Sequence, residues 1–125
     1  MTPEDRALIM IYESVKHRLS MGFEQYAEAV KDYDIIPLSE SGKVVGGVMA
    51  KGNELHIGLG TQFKASARRY IREHFNRTLD NYGFALTSVQ AQNSVGLRFC
   101  QRLGFTKVGE ANGTILLRCD RSNYK

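Results

Sequence analysis

Apolar residues recur every three or four positions over the first part of the chain, the spacing of one buried helix face. Thr2 is a typical N-cap residue and Pro3 suits a first helical turn, so a helix is expected to begin there. Met21-Gly22 breaks this pattern, and a second apolar stripe predicts a shorter helix from Phe23. The apolar positions of the first helix are Ala7, Leu8, Ile11, Tyr12, Val15 and Leu19.

Three short strand-like segments follow, and turn residues separate them. Ser41-Gly42 and Gly52-Asn53 are the turns, so the segments are expected to form an antiparallel meander. Pro37 lies inside the first segment and has no backbone N–H, which favours an edge position for that strand. The three segments cover residues 34–38, 43–50 and 54–59.

Helices alternate with strands in the second half of the chain. A long helix from about Lys64 to Asn81 is expected to end at Gly83, and Asn93 or Ser94 to cap a shorter helix. Asn112-Gly113 predicts a tight hairpin, because both residues tolerate positive φ. The remaining segments are strands at 84–90, 105–108 and 114–119 and a loose polar tail at 120–125.

The order of these elements predicts the fold class. It is α/β (α+β), with a mixed, mostly antiparallel sheet and helices on both faces. The third and fourth strands are expected to run parallel, because the long helix connects them. A length of 125 residues is typical of one domain, so residues 1–125 are expected to form a single unit.

Composition excludes several classes of protein. Apolar runs are too short to cross a membrane, and two cysteines make neither a disulfide framework nor a zinc site. No metal site is therefore expected. The first residues show no basic segment leading into a long apolar one, so we expect no signal peptide and a cytoplasmic location.

Charge is distributed unevenly along the chain. Residues 1–60 carry 6 Lys+Arg and 9 Asp+Glu, whereas residues 61–125 carry 11 and 4. A basic second half suggests an anionic ligand, although solvated helix faces that happen to differ would give the same asymmetry.

The segment from Leu55 to Arg69 combines this charge with a strand-to-helix turn. Small residues at 65–67 let a ligand approach the backbone, and free N–H groups at a helix start bind anions. Lys64, Arg68 and Arg69 add positive charge, so a diphosphate would fit there. The same combination of small residues and arginines also occurs at helix starts that bind no ligand, where the arginines serve solubility.

Two motifs resemble the GCN5-related N-acetyltransferases, the GNAT family. The pyrophosphate loop of that family reads Gln or Arg, two residues, Gly, one residue, then Gly or Ala. This chain has Gln62, Ala65 and Ala67 at those positions. The segment from Asn93 to Gly104-Phe105 is similar to the Asn-led helix of the family. The resemblance covers residues 34–119 and looks closest to small GNAT-like proteins of short-tailed bacteriophages.

The resemblance implies acetyl-CoA as the cofactor. The backbone of the strand at Leu55 and Ile57 would pair with the pantetheine arm, which Asn93 would also contact. The pyrophosphate would lie against the start of the long helix, with Arg69 as a further candidate to screen the phosphates. The residues implied for this loop are Gln62, Phe63, Lys64, Ala65, Ser66, Ala67 and Arg68.

The chain departs from the family pattern in three places. Cys100 stands where a tyrosine usually protonates the leaving thiolate, and Ala65 replaces a glycine of the loop. The strand that usually precedes the first helix is expected to be absent. A thiol can serve as an acid, but a free cysteine is more often a buried packing residue.

Acetyl transfer to an amine needs a group that takes a proton. His56, on the strand before the loop, is the first candidate base, and Glu54 lies two residues earlier on the same strand face. Cys100 is the candidate acid. Tyr12, Tyr26 and Tyr33 are candidates to line an acceptor groove, although aromatic residues at helical spacing usually pack in a core.

Three interpretations follow from the sequence. The first is an acetyl-CoA-dependent N-acetyltransferase with an amine-bearing acceptor, either a small molecule or a protein. The second is a GNAT-fold phage protein that has lost catalysis and acts as a binding or virion-associated component in a bacterial or infected host cell. The third, a nucleic-acid-binding module, is disfavoured because Tyr70 and Phe75 fall on the buried helix stripe. No membrane partner is expected, and a homodimer through the C-terminal hairpin is compatible with the sequence.

Overall fold

The elements follow the predicted order in the computed structural model, which describes residues 1–59 and 67–124. Side chains are described for residues 1–58 and 71–124. The helices are α1 (Pro3–Val15), α2 (Phe23–Ala29), α3 (Ala67–Tyr82) and α4 (Ser94–Leu103). The strands are β1 (Asp34–Glu40), β2 (Lys43–Lys51), β3 (Glu54–Leu59), β4 (Phe84–Gln90), β5 (Thr106–Ala111) and β6 (Thr114–Asp120).

Local signals account for most of these boundaries. Thr2 and Asp5 form a reciprocal capping box at the start of α1, with N–H to side-chain oxygen distances of 3.1 and 3.2 Å. Gly83 follows α3 with a φ of +83° and donates its N–H to Leu79 O at 2.7 Å. Asn112 and Gly113 take φ values of +52° and +77° between β5 and β6, so the predicted hairpin is confirmed.

The first helix is shorter than its apolar stripe. It ends at Val15, and Lys16–Arg18 form a 3₁₀ turn before the extended Leu19. Leu19 still packs against the cluster of Ile11, Tyr26 and Met49, although it lies beyond the helix.

The six strands form one mixed sheet in the order β1-β2-β3-β4-β6-β5. Among the pairings for which a register is described, β1 with β2, β4 with β6 and β5 with β6 are antiparallel. β3 and β4 run parallel, as their connection through a helix predicted. β1 lies at an edge, and its Pro37 pairs with Gly47. The predicted α/β class with a mixed, mostly antiparallel sheet is therefore confirmed.

The chain folds into two compact units. The first comprises Met1–Lys51 and the described part of His56–Ile71, and the second comprises Gly52–Leu55 and the described part of Arg72–Lys125. The expectation of a single domain over residues 1–125 stays a prediction.

Two strand glycines let α1 lie close to the sheet in the first unit. A Cβ atom at Gly47 would lie 2.9 Å from Ala7 Cβ, and one at Gly58 would lie 2.7 Å from Ile11 Cα. The absence of side chains there allows Ala7 and Ile11 to be buried to 0% and 3% exposure. The glycines inside these strands therefore reflect helix packing.

Gly58→Ala is expected to lower the free energy of unfolding by about 1–3 kcal/mol, because the new methyl meets the α1 backbone. Gly109→Ala is the matched strand control, since its Cβ would lie 3.5 Å from Leu116 Cδ1, an ordinary contact. We expect the control to be neutral or slightly stabilising. Urea denaturation of both variants tests the prediction, and equal losses would contradict it.

The end of the chain corrects a sequence-based expectation, because residues 120–124 do not form a loose tail. Asp120 ends β6, and Arg121–Asn123 form a 3₁₀ turn in the second unit. Arg121 Nε forms an ion pair with Asp80 Oδ1 at 3.0 Å, and Nη1 donates a hydrogen bond of 3.2 Å to Asn76 Oδ1. The backbone N–H of Arg121 donates a hydrogen bond to Gly83 O. The polar composition suggested a tail, but these partners lie far away in sequence on and after α3.

Candidate functional site

Strand β3 carries the candidate base and the residues implied for the pantetheine arm. Strand alternation puts Glu54 and His56 on one face and Leu55 and Ile57 on the other. Leu55 is 1% exposed and the other three are half-buried. At the start of β3, Asn53 O accepts a hydrogen bond of 2.8 Å from Leu86 N–H of β4.

His56 lies on the strand face that α1 covers. Gly58, two residues later on the same face, is the glycine that Ile11 of α1 approaches. The ring of Tyr33 contacts the imidazole edge-to-face, with centroids 6.0 Å apart and planes at 61°. Lys51 Nζ lies 5.6 Å from the centroid of the same tyrosine ring.

The three tyrosines proposed for an acceptor groove have different surroundings. The Tyr12 hydroxyl donates to Met21 O at 2.9 Å, and the Tyr26 hydroxyl donates to Met49 Sδ at 3.5 Å. Their rings lie 5.3 Å apart, and burial raises the pKa of Tyr26. Tyr12 and Tyr26 therefore hold α1 and α2 together, whereas Tyr33 contacts a candidate catalytic residue.

Most of the implied phosphate loop lies outside the described residues. This holds for Gln62, Phe63, Lys64, Ala65 and Ser66. Ala67 and Arg68 belong to α3, and the next described side chain with positive charge, Arg72, is exposed. The loop assignment stays a prediction.

Asn93, one of the two residues predicted as the cap, caps α4. Its Oδ1 accepts a 3.0 Å hydrogen bond from Gly96 N–H. A Cβ atom at Gly96 would lie 2.6 Å from Asn93 Nδ2, so a larger residue there would require the Asn93 amide to shift. The cap uses the oxygen, and the Nδ2 group has no partner among the described residues. A contact between Asn93 and a pantetheine amide stays a prediction.

Cys100 is a half-buried residue of α4. Burial raises the pKa of its thiol to about 11, so the thiol is protonated at neutral pH. Such a thiol is a poor nucleophile and a weaker acid than an ordinary cysteine. Proton transfer from this thiol to a thiolate with the pKa of an unperturbed cysteine, about 8.5, would be uphill. The chemistry favours a packing role, and the candidate role as an acid stays a prediction.

A cluster of Arg118, Asp120 and Phe84 was not anticipated from the sequence. The Arg118 guanidinium lies 4.0 Å from the centroid of the Phe84 ring, and its Nε and Nη2 donate to Asp120 Oδ1 at 3.0 and 2.9 Å. Strand alternation, which puts Arg118 and Asp120 on one face, was the available signal. The contact between Arg118 and Phe84 joins β6 to β4, because Phe84 lies opposite Asp120 in the strand register.

Neither a metal cluster nor a membrane span is found in the part of the chain that the structure describes. There, no three His, Cys, Asp or Glu side chains are grouped to hold a metal ion. None of the described helices is both long enough and apolar enough to cross a bilayer.

Comparison with known proteins identifies the fold. No family model and no curated protein sequence matches the chain. Among solved structures, a ribosomal-protein-alanine N-acetyltransferase from Brucella melitensis is similar, with a TM-score of 0.71, 12% identity and 96% of each chain covered.

Two further similar structures contain the coenzyme. The PaiA N-acetyltransferase from Thermoplasma acidophilum, in complex with coenzyme A, has a TM-score of 0.66 and 12% identity over 94% of this chain and 89% of its own. A GNAT family acetyltransferase from Elizabethkingia anophelis with acetyl-CoA bound has a TM-score of 0.67 and 11% identity over 90% and 88%. The chain described here has the fold that these N-acetyltransferases share.

Proposed function

We propose that this protein transfers the acetyl group of acetyl-CoA to an amine. The observation that carries the proposal is the fold, which the chain shares with N-acetyltransferases over nearly its whole length and theirs. Two of the similar structures hold coenzyme A or acetyl-CoA. The amine-bearing acceptor, whether a small molecule or a protein, is part of the proposal.

The donor groups of the chain suit a nucleotide thioester. Residues 61–125 carry 11 Lys+Arg against 4 Asp+Glu, which suits phosphates. The Nδ2 group of Asn93 can donate to an amide carbonyl. We assign the pyrophosphate to residues 62–68, with Arg69 as a further candidate. The pantetheine arm is assigned to the backbone at Leu55 and Ile57 and to Asn93.

Acetyl-CoA supplies an activated thioester carbonyl when bound. His56 takes the proton that the acceptor amine loses as its nitrogen bonds to that carbonyl, and Glu54 is the alternative base. A group that holds this proton keeps the amine neutral and nucleophilic. Cys100 is the candidate for returning a proton to the departing sulfur, although its raised pKa makes it a poor proton donor.

The raised pKa of Cys100 also favours a second candidate function. A GNAT-fold protein that lacks an effective acid could bind coenzyme A without transferring the acetyl group. Such a protein would act as a binding or virion-associated component. The phage resemblance, the cytoplasmic location and a homodimer through the β5–β6 hairpin stay predictions.

Calorimetric titration with acetyl-CoA and with CoA tests the cofactor site. We expect saturable binding to the natural protein and its loss in Ala65→Glu, because a carboxylate there would face the pyrophosphate. Ala111→Glu, an equal change of charge at the exposed end of β5, is the matched control and should bind normally. Absence of binding to the natural protein at millimolar ligand would overturn the proposal.

An acceptor screen separates an enzyme from a binding protein. Release of free CoA is followed with amines of increasing size, from small polyamines to peptide N-termini. Turnover with any amine supports transfer. Binding without turnover across the screen supports the degenerate alternative.

A further inference from the structure

Tyr33 lies between two charged or titratable side chains of the first unit. The register of β1 and β2 pairs Asp34 with Ala50, so Tyr33, one residue before, comes opposite Lys51, one residue after. This register explains why Lys51 Nζ lies 5.6 Å from the ring centroid. An ammonium group at that distance from an aromatic face is attracted by its negative potential.

The same ring contacts the imidazole of His56. The 6.0 Å centroid separation and 61° interplanar angle belong to the favourable edge-to-face class of aromatic pairs. Tyr33 is itself anchored, because it packs against the cluster of Ile11, Tyr26 and Met49. An imidazole beside an anchored ring loses freedom to rotate about its side-chain bonds.

We propose that Tyr33 is a positioning residue for His56, and that Lys51 holds the tyrosine ring in place. The proposal rests on the proposed function, in which His56 takes the proton of the acceptor amine. A base acts only when its nitrogen is within hydrogen-bond reach of that proton, so an imidazole held in one orientation transfers it faster. Tyr33 acts through His56 and touches no reacting atom.

The role predicts a specific pattern of kinetics. Tyr33→Leu removes the ring and is expected to lower kcat about threefold to tenfold, the size expected for losing one aromatic pair, with little change in the KM for acetyl-CoA. Tyr33→Phe keeps the ring and should stay within about twofold of the natural protein. Lys51→Ala, at an exposed residue, should lower kcat about twofold to threefold.

A double-mutant cycle distinguishes positioning from general damage. In a His56→Ala background, Tyr33→Leu and Lys51→Ala should have no further effect on kcat, because the residue they act through is absent. Equal falls in both backgrounds would overturn the proposal, as would Tyr33→Phe behaving like Tyr33→Leu.

A measurement without turnover keeps this proposal separate from the proposed function. The NMR shifts of the His56 ring protons report the nearby tyrosine ring in the protein alone. They should move in Tyr33→Leu and stay in place in Tyr33→Phe. Unchanged His56 shifts in Tyr33→Leu would show that the Tyr33 ring does not contact the imidazole, which would overturn the proposal. Shifted resonances in a protein with no turnover would overturn the enzymatic role and leave the ring contact standing.

Discussion

Gly104→Ala is expected to lower the free energy of unfolding by about 3 kcal/mol or more, from left-handed strain and overpacking together. Gly104 ends α4 with a φ of +109°, where a Cβ atom is disfavoured in any surroundings. The new methyl would also overlap the carbonyl oxygen of Asn123 and lie 2.8 Å from its carbonyl carbon. Both atoms belong to backbone, so they cannot rotate out of the way. Urea denaturation followed by circular dichroism measures the loss.

Gly113→Ala is the matched control for the backbone strain. Gly113 has a φ of +77°, and a Cβ atom there would have no atom within 4 Å. We expect this variant to lose only the cost of the left-handed conformation, about 1–2 kcal/mol. Equal losses at Gly104 and Gly113 would contradict the packing of the C-terminal segment against α4.

His56→Ala is expected to lower kcat for acetyl transfer by about 10²–10⁴-fold, the usual contribution of a general base. The KM for acetyl-CoA should change little, because the side chain is assigned to the proton and not to the cofactor. Steady-state kinetics with the best acceptor from the screen measures both constants. His17→Ala, at an exposed histidine of the Lys16–Arg18 turn, is the matched control and should keep full activity.

Glu54→Gln decides between the two candidate bases. This variant keeps the shape of the side chain and removes its ability to accept a proton as a carboxylate. A large loss of kcat in Glu54→Gln with normal activity in His56→Ala would assign the base to Glu54. Normal activity in both variants would contradict a role for β3 in proton transfer.

Interactions between residues that are close together in the sequence made the fold predictable. The Thr2 capping box, the positive-φ glycine after α3 and the Asn112-Gly113 hairpin each depend on a few adjacent residues. The parallel pairing of β3 and β4 follows from the length of the helical connection. For the site, the same local logic placed His56 and Glu54 on one face of a strand and Asn93 at a helix start.

Contacts between residues far apart in the sequence could not be predicted from local patterns. The residues at 120–124 are mostly polar, which by itself suggests a loose tail. The contacts of Arg121 with Asp80 and Asn76 of α3 show that this segment is held in place. The pKa of Cys100 depends on how deeply α4 is buried, which the sequence alone does not set. Of the three candidate tyrosines, Tyr33 is the one with a ring contact to His56, and helical spacing gives no indication of that contact.

The sequence by itself determined the order of the helices and strands, their caps and turns, and the fold class, since hydrophobic periodicity and turn chemistry are local properties. The tertiary structure decided why Gly58 and Gly104 must lack side chains, where residues 120–124 lie and which aromatic ring contacts the candidate base. These depend on the close approach of distant backbone segments, and no local pattern encodes the distance between them.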